Sequence, residues 1–386
     1  MRKYSTLTAI MYAIFILIGM SFFTAIALLF SALSGYVEYV PVIIIIAITL
    51  YSWFVLLLFH FFQTKRRKIV FISIAITAIL IGMISPIQHA YKNNIPTMNT
   101  EVYVYEYTPF SKNARIATLD EPSTLRLSDD LPRMDGATAL YPLYSAFVQA
   151  TYPEQEYTPF DSEVMVNTTP DAYSNLFAGK VDMIFVAAPS NSQLKIAQQK
   201  GVELNMIPIG REAFVFFVNQ KNTVNGLKFA DIQDIYSGKV TNWNEVGGAN
   251  DSIRAFQRPA DSGSQTALEK VMGETPIMKA PHENISSGMG GIINEVSQYR
   301  NYKNALGYTF RFYSTEMIQN DQIKLLEIDG VAPTKETIRS DAYPLTSEFY
   351  IVTTGTKNEN VQKFINWILS EQGQLLVEKS GYVAIN

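Results

Sequence analysis

Polar loops that lie directly before predicted helices hold the residue types best suited to chemistry in this sequence. The clearest runs from Arg258 to Thr266, where a predicted strand ends and a helix begins. Backbone N–H groups at a helix start lack helical partners and face the positive end of the helix dipole, so they suit an anion. Gly263 allows close backbone approach, Ser262 and Ser264 can donate hydrogen bonds, and an arginine offers a bidentate fork. The competing interpretation is an ordinary serine cap beside a solvated arginine.

Two further loops have the same character. One spans Asp135–Leu140 and leads into a predicted helix, and the other spans Asn167–Asp171, where Pro170 fits the first helical turn. Each loop alone is a weak signal, because hydroxyl caps before helices are common. Three such loops, one of them with an arginine, form a more specific pattern and indicate an anion site.

Enzymatic motifs are nearly absent. The chain has no cysteine, which excludes disulfides, thiol nucleophiles and cysteine-rich metal sites. Ser192 and Lys195 match a Ser-x-x-Lys pattern without its companion motifs. A Ser–His–Asp triad would need His89 or His282, and neither lies near a nucleophile-elbow sequence. We therefore predict no catalytic residue, no metal site and no cofactor.

The chain that must position these loops divides into two parts of opposite net charge. The 386 residues allow two or three domains, and 48% hydrophobic with 17% charged residues excludes a disordered chain. Residues 1–90 have a net charge of +5, whereas the remainder has −9. An acidic second part makes a nucleic-acid partner improbable, so an anion would be bound by local geometry.

The first part is predicted to be a membrane segment. Three uncharged runs cover about residues 7–33, 40–62 and 69–87, and each can cross roughly 30 Å of hydrocarbon as a helix. A cleaved signal peptide would be one shorter run, and buried core helices would show a polar face. The basic residues Arg2, Lys3 and Lys65–Lys68 place the N-terminus in the cytoplasm. Residues 91–386 are then extracytoplasmic, and the protein is a multi-pass protein of the cell membrane.

The second part alternates short apolar runs with helical stretches, which predicts an α/β fold. The candidate strands are Val181–Ala187, Ala213–Asn219, Ile253–Gln257 and Phe349–Thr353. Candidate helices follow Thr138, Pro170, Ser262 and Asn360.

From about Leu131 onward the chain resembles the PstS-like phosphate-binding proteins, the substrate-binding components of phosphate ABC transporters. The segments that carry this resemblance are Asp135–Pro142, Ala178–Asp182, Asp234–Trp243, Arg258 with Ser262–Ser264, and Asn304–Tyr308. They occur in the family's order and span about two-thirds of the chain. The resemblance implies a two-lobed, type II periplasmic-binding-protein fold, here preceded by three transmembrane α-helices.

The resemblance also implies which residues bind the ligand. By this resemblance the first loop would supply Thr138 and Ala139, and the second loop Thr169. The third loop would supply Arg258, Ser262, Gly263 and Ser264. Lobe one would comprise residues 98–213 and 345–386, and lobe two residues 214–344. These are the same three loops that the residue types select.

Two features depart from the family. Some members have an aspartate that accepts a proton from phosphate, and the matching position here is Ala187. Members are usually secreted or lipid-anchored through a cysteine, whereas this chain has three apolar spans.

The function predicted is a membrane-anchored, extracytoplasmic binding protein, not an enzyme. It would capture inorganic phosphate or a similar oxyanion for uptake, with ABC permease subunits as partners. An oxyanion sensor that signals through its helices is the alternative among binding proteins, and a phosphatase is the alternative from another class.

Overall fold

The computed structural model describes residues 5–34, 36–93, 102–280, 303–317 and 322–385. His282 and the predicted start of lobe one at residue 98 lie outside these ranges. The chain divides into two compact units, Met1–Pro96 and Thr97–Asn386.

The first unit is helical. Its helices are α1 (Thr6–Leu33), α2 (Val40–Leu58), α3 (Lys65–Gly82) and α4 (Ile84–Asn93). Three stretches, Thr6–Leu33, Val37–Leu58 and Lys65–Tyr91, are long and apolar enough to cross a membrane. This confirms the prediction of three long apolar helices.

The helix limits differ from the predicted spans at three places, one of which is that α3 ends at Gly82 rather than at residue 87 and α4 begins at Ile84. The second helix ends at Leu58 rather than Phe62, because His60 adopts a left-handed backbone with φ 54° and a 3₁₀ turn follows. The third helix begins earlier than residue 69, where the Thr64 hydroxyl accepts the Arg67 N–H.

The second unit contains eight α-helices and nine strands within its described residues. The helices are α5 (Tyr141–Thr151), α6 (Thr169–Phe177), α7 (Asn191–Lys200), α8 (Phe229–Ser237), α9 (Gly263–Met272), α10 (Lys335–Arg339), α11 (Glu359–Ile368) and α12 (Glu371–Lys379). The strands are β1 (Met134–Gly136), β2 (Met183–Ala187), β3 (Asn205–Asn219), β4 (Gly226–Leu227), β5 (Arg254–Ala255), β6 (Ala305–Phe310), β7 (Ile323–Leu325), β8 (Glu327–Ile328) and β9 (Thr346–Thr353).

A single mixed sheet organises this unit. Its strand order is β1-β2-β9-β3-β6-β5, with β7 also paired to β3, while β4 and β8 form a separate two-stranded sheet. The pairs β1–β2 and β5–β6 are parallel, and the pairs made by β9 and β3 are antiparallel. The predicted α/β fold is therefore confirmed.

The long strand β3 connects the two halves of the sheet. Residues 205–213 pair with β9, whereas residues 214–219 pair with β6 and β7. The segment Ala213–Val218 is buried and consists mostly of aromatic and β-branched residues, which fit a sheet with both faces covered. Sequence reasoning predicted only its second half, Ala213–Asn219.

The two largest hydrophobic cores contact the two halves of this strand. The first core includes Phe147, Phe185 and Phe364, and the second core includes Phe216 and Trp243. With a few exceptions, the residues of the first core lie before residue 210 or from residue 349 onward. Those of the second core lie between residues 213 and 345. Phe312, within the range predicted for lobe two, packs in the first core. The lobe limits themselves stay a prediction.

Candidate functional site

The three polar loops line one cleft. Its cavity volume is about 190 Å³, and its wall includes every predicted ligand residue, namely Thr138, Ala139, Thr169, Arg258, Ser262, Gly263 and Ser264. Thr138 lies in a 3₁₀ turn before α5, Thr169 is the first residue of α6, and Ser262 directly precedes α9. Three helix starts therefore meet at one cavity, and helix starts suit a bound anion.

The third loop is held by side-chain hydrogen bonds. Ser262 Oγ accepts the N–H of Gln265 at 3.3 Å and caps α9. The backbone N–H of Arg258 donates to Gln265 Oε1 at 3.0 Å and to the Tyr308 hydroxyl at 2.9 Å. The same hydroxyl donates to Gln265 Oε1 at 2.5 Å. This network fixes the backbone from which the arginine extends.

The guanidinium of Arg258 lies in a desolvated environment. Burial lowers its pKa from the ordinary value, and the neighbouring phenols of Tyr313 and Tyr308 oppose that shift. Arginine nevertheless stays protonated in proteins. A desolvated positive charge in a cleft gains strongly from an anionic partner, because interactions strengthen where water is excluded.

Gly263 lies close to the second loop. A Cβ atom at this position would lie 3.3 Å from Thr169 Oγ1 and 3.8 Å from the Ala187 methyl. The absence of a side chain thus allows α9 to approach α6 across the cleft. The approach brings hydroxyls from both sides within reach of one small ligand.

The first and second loops are tied together by the buried carboxylate of Asp135. Its Oδ2 accepts hydrogen bonds from the amides of Asn167 (2.9 Å) and Asn175 (2.8 Å), and its Oδ1 accepts the N–H of Gly136. Burial raises the pKa of Asp135, and these hydrogen bonds oppose the rise. The carboxylate therefore links β1, the second loop and α6.

Tyr382, near the C-terminus, is hydrogen-bonded to the first loop. Its hydroxyl donates to the carbonyl oxygen of Ala139. Its ring stacks on Phe312, with centroids 4.4 Å apart, and contacts Phe349 at 5.1 Å. Burial raises the pKa of Tyr382 well above its usual value, so the hydroxyl remains a donor.

A polar contact joins the two sides of the cleft. Ser190, at the start of α7, donates from Oγ to Asp261 Oδ1 at 2.7 Å, and Gln193 Nε2 donates to the Asp261 carbonyl at 3.3 Å. Asp261 has a left-handed backbone with φ 62°. Both hydrogen bonds to Asp261 are present in this structure, in which the three polar loops lie close together.

The cleft also contains a buried carboxyl, Glu212, on β3. Burial raises its pKa to about 8, against the opposing effects of the Arg311 charge and of two backbone hydrogen bonds. Ala187 contributes only a methyl group to the same wall. Another carboxyl, Glu348, is exposed at the cleft.

The sequence matches the family model of the PBP superfamily domain over residues 128–372, which is more than half of the chain. The chain belongs to the PBP superfamily.

Curated relatives of this PBP-superfamily chain are phosphate-binding proteins. The PstS protein of Bacillus subtilis is 23% identical over 65% of this chain and 80% of its own length. The PstS protein of Borreliella burgdorferi is 27% identical over 45% of this chain. The match spans 63% of that relative's length.

A solved relative supports the PBP-superfamily fold. It is a phosphate ABC transporter substrate-binding protein of Clostridium perfringens with bound phosphate, 23% identical to this chain, with a TM-score of 0.50. The alignment covers 67% of this chain and all of that chain, and at this identity the likeness concerns the fold alone. All these relatives are named as binding proteins, in agreement with the prediction that the chain is not an enzyme.

Sequence reasoning missed three supporting features of this PBP-superfamily site. Asp135 was included in the first loop without a role, and neither Tyr382 nor Glu212 was singled out. A signal for Glu212 existed, because this carboxyl directly precedes the apolar run that begins at Ala213. Nothing local connects Tyr382 to Ala139, which is more than two hundred residues away.

We expect Asp135→Ala to lower the free energy of unfolding of the second unit by about 2–4 kcal/mol. The change leaves the half-buried amides of Asn167 and Asn175 without their acceptor. Thermal unfolding followed by tryptophan fluorescence should show a midpoint several degrees lower. Asp135→Asn, which retains an acceptor oxygen, should lose less, and an unchanged midpoint in Asp135→Ala would contradict the linking role.

Proposed function

We propose that this chain is a membrane-anchored, extracytoplasmic binding protein that captures inorganic phosphate or a similar oxyanion for ABC-transporter uptake. The observation that carries the proposal is the convergence of three helix starts and one half-buried arginine on a single small cleft. The binding is non-covalent. Backbone N–H groups and the hydroxyls of Thr138, Thr169, Ser262 and Ser264 would coordinate the oxygens, and Arg258 would supply the charge.

The fold supports capture by closure of two lobes. Lobe one would be residues 98–213 with 345–386, and lobe two residues 214–344, joined through the crossing strand β3 and the segment that leads into β9. In this arrangement Gly263 and Thr169 lie on opposite sides of the ligand, and the Ser190–Asp261 hydrogen bond forms when the sides meet. Closure would present the bound state to permease subunits in the membrane.

The membrane role rests on the three apolar helices of the first unit. The basic residues Lys65–Lys68 in the first turn of the third helix, together with Arg2 and Lys3, favour the cytoplasmic side. With an odd number of spans, the N-terminus would be cytoplasmic and the binding unit extracytoplasmic. The apolar helices would then anchor the binding unit to the membrane.

Calorimetry of the full chain in detergent micelles tests the ligand. Phosphate and arsenate should bind at least about tenfold more tightly than sulfate, because a protonated oxyanion can donate to an oxygen of the cleft wall that only accepts, such as a backbone carbonyl, and sulfate cannot. Sulfate that binds as tightly as phosphate would overturn the phosphate assignment. An absence of binding by all three anions would overturn the capture function.

A further inference from the structure

Glu212 is a buried carboxyl in the wall of the cleft, with 5% of its surface exposed. It lies on β3 where the strand leaves β9 and begins to pair with β6. Its Oε1 accepts the N–H groups of Ala213 (3.2 Å) and Phe312 (3.3 Å). Among the described residues, both hydrogen bonds to this side chain end on Oε1, and its Oε2 receives none.

The surroundings of Glu212 favour its neutral form. Arg311 attracts the ionised carboxylate and Glu316 repels it, but the Arg311 guanidinium also lies 4.0 Å from Glu316. Burial is the largest influence and raises the pKa of Glu212 to about 8. The other titratable groups of the same region are Tyr382, Arg258, Tyr308, Tyr313 and Glu348.

We infer that the cleft takes up its oxyanion together with one proton, which is held on Glu212 and donated to an anion oxygen. The inference rests on the proposed function. The proton comes from solvent, Oε2 becomes the O–H donor, and no covalent bond of the anion changes. Glu212 is thus a specificity-determining residue whose protonation sets the charge that the cleft accepts.

Charge balance is the physical reason. A dianion in the cleft together with an ionised Glu212 would place three negative charges in a region with little water, and like charges repel strongly there. A neutral carboxylic acid removes one of these charges and adds a hydrogen-bond donor. The bound anion also stabilises the protonated acid, so binding and protonation reinforce each other.

The sign of the pH dependence follows from this coupling. Below about pH 8 the carboxyl already bears its proton in the empty cleft, and binding requires little uptake. Above that pH the carboxyl must first be protonated, so affinity should fall by up to about tenfold per pH unit. Phosphate in solution is already mostly dianionic in this range, so its own titration adds little.

Calorimetry of the full chain with inorganic phosphate, in buffers of different protonation enthalpy, counts the protons taken up. The wild-type chain should take up about half a proton per phosphate near pH 8 and almost one near pH 9. Glu212→Gln, which keeps an oxygen for Ala213 and Phe312 and an amide donor for the anion, should lose this uptake and bind with little pH dependence. Glu327→Gln is the matched control, because that carboxyl is exposed on β8 and does not line the cleft, and its proton count should equal the wild type.

The outcomes separate the two proposals. Phosphate binding with equal proton counts in the wild type and Glu212→Gln would overturn the inference and leave phosphate capture intact. A wild type that binds no phosphate even near pH 7 would overturn the capture function and the inference with it. If Glu212→Gln fails to fold, the wild-type count decides alone, since a count that stays at zero from pH 8 to about pH 9 contradicts the inference.

Discussion

Arg258→Ala is expected to raise the phosphate dissociation constant about 100-fold or more. The guanidinium is the only cation among the predicted ligand residues, and each charge-assisted hydrogen bond that it makes to a bound anion is worth about 1.5–3 kcal/mol. Loss of a bidentate pair of hydrogen bonds therefore lowers the phosphate affinity more than about 100-fold. Isothermal titration of the full chain with phosphate measures the change.

Two variants control for this result. Arg258→Lys retains the charge but loses the fork, so its affinity should fall between wild type and Arg258→Ala. Arg339→Ala removes an exposed arginine that pairs with Glu378 at 2.8 Å, and it should leave phosphate affinity unchanged. An Arg258→Ala chain that binds phosphate within about threefold of wild type would contradict the assigned role of this arginine.

Gly263→Val should weaken phosphate binding by about 10- to 100-fold while leaving the fold stable. Even a Cβ atom would lie 3.3 Å from Thr169 Oγ1, and the two further methyl groups of valine would need space that Thr169 and Ala187 occupy. Overpacking of this kind costs about 1–3 kcal/mol, and here the cost falls on the approach of the two sides. Titration calorimetry measures the loss of phosphate affinity, and thermal unfolding measures any loss of stability. The two measurements together separate an effect on closure from an effect on the fold.

The controls for this prediction lie in the same helix. Gly263→Ala should weaken binding less than the valine variant, since it adds only the one contact. Lys270→Val places a β-branched residue at an exposed position of α9 and should change neither affinity nor closure. Equal phosphate affinity in wild type and Gly263→Val would show that the close approach of Gly263 and Thr169 is not needed for binding.

Local patterns were sufficient to predict the loops and most of the elements. Hydroxyl residues before Thr169 and Gly263, together with Pro170, indicated helix starts, and the structure has helices there. The apolar runs indicated three long helices, and the structure contains them. Such signals are local, because capping and membrane-length apolarity involve residues adjacent in sequence.

Local patterns were less reliable where tertiary pairing decides. The strand predicted at Ile253–Gln257 is only Arg254–Ala255, because its register with β6 covers two residues. Conversely, β3 extends eight residues before Ala213, because β9 pairs with this earlier half. Strand length depends on the partner strand, and the partner is distant in sequence.

The sequence by itself determined the kind of site: three hydroxyl-bearing helix starts, one arginine, no cysteine, and a membrane-length apolar region. Only the tertiary structure decided that Thr138, Thr169 and Arg258 line a single cavity. It also decided that Asp135 joins two of the loops and that Glu212 is buried enough to hold a proton near neutral pH. The physical reason is that capping depends on neighbours along the chain, whereas desolvation and charge coupling depend on neighbours in space.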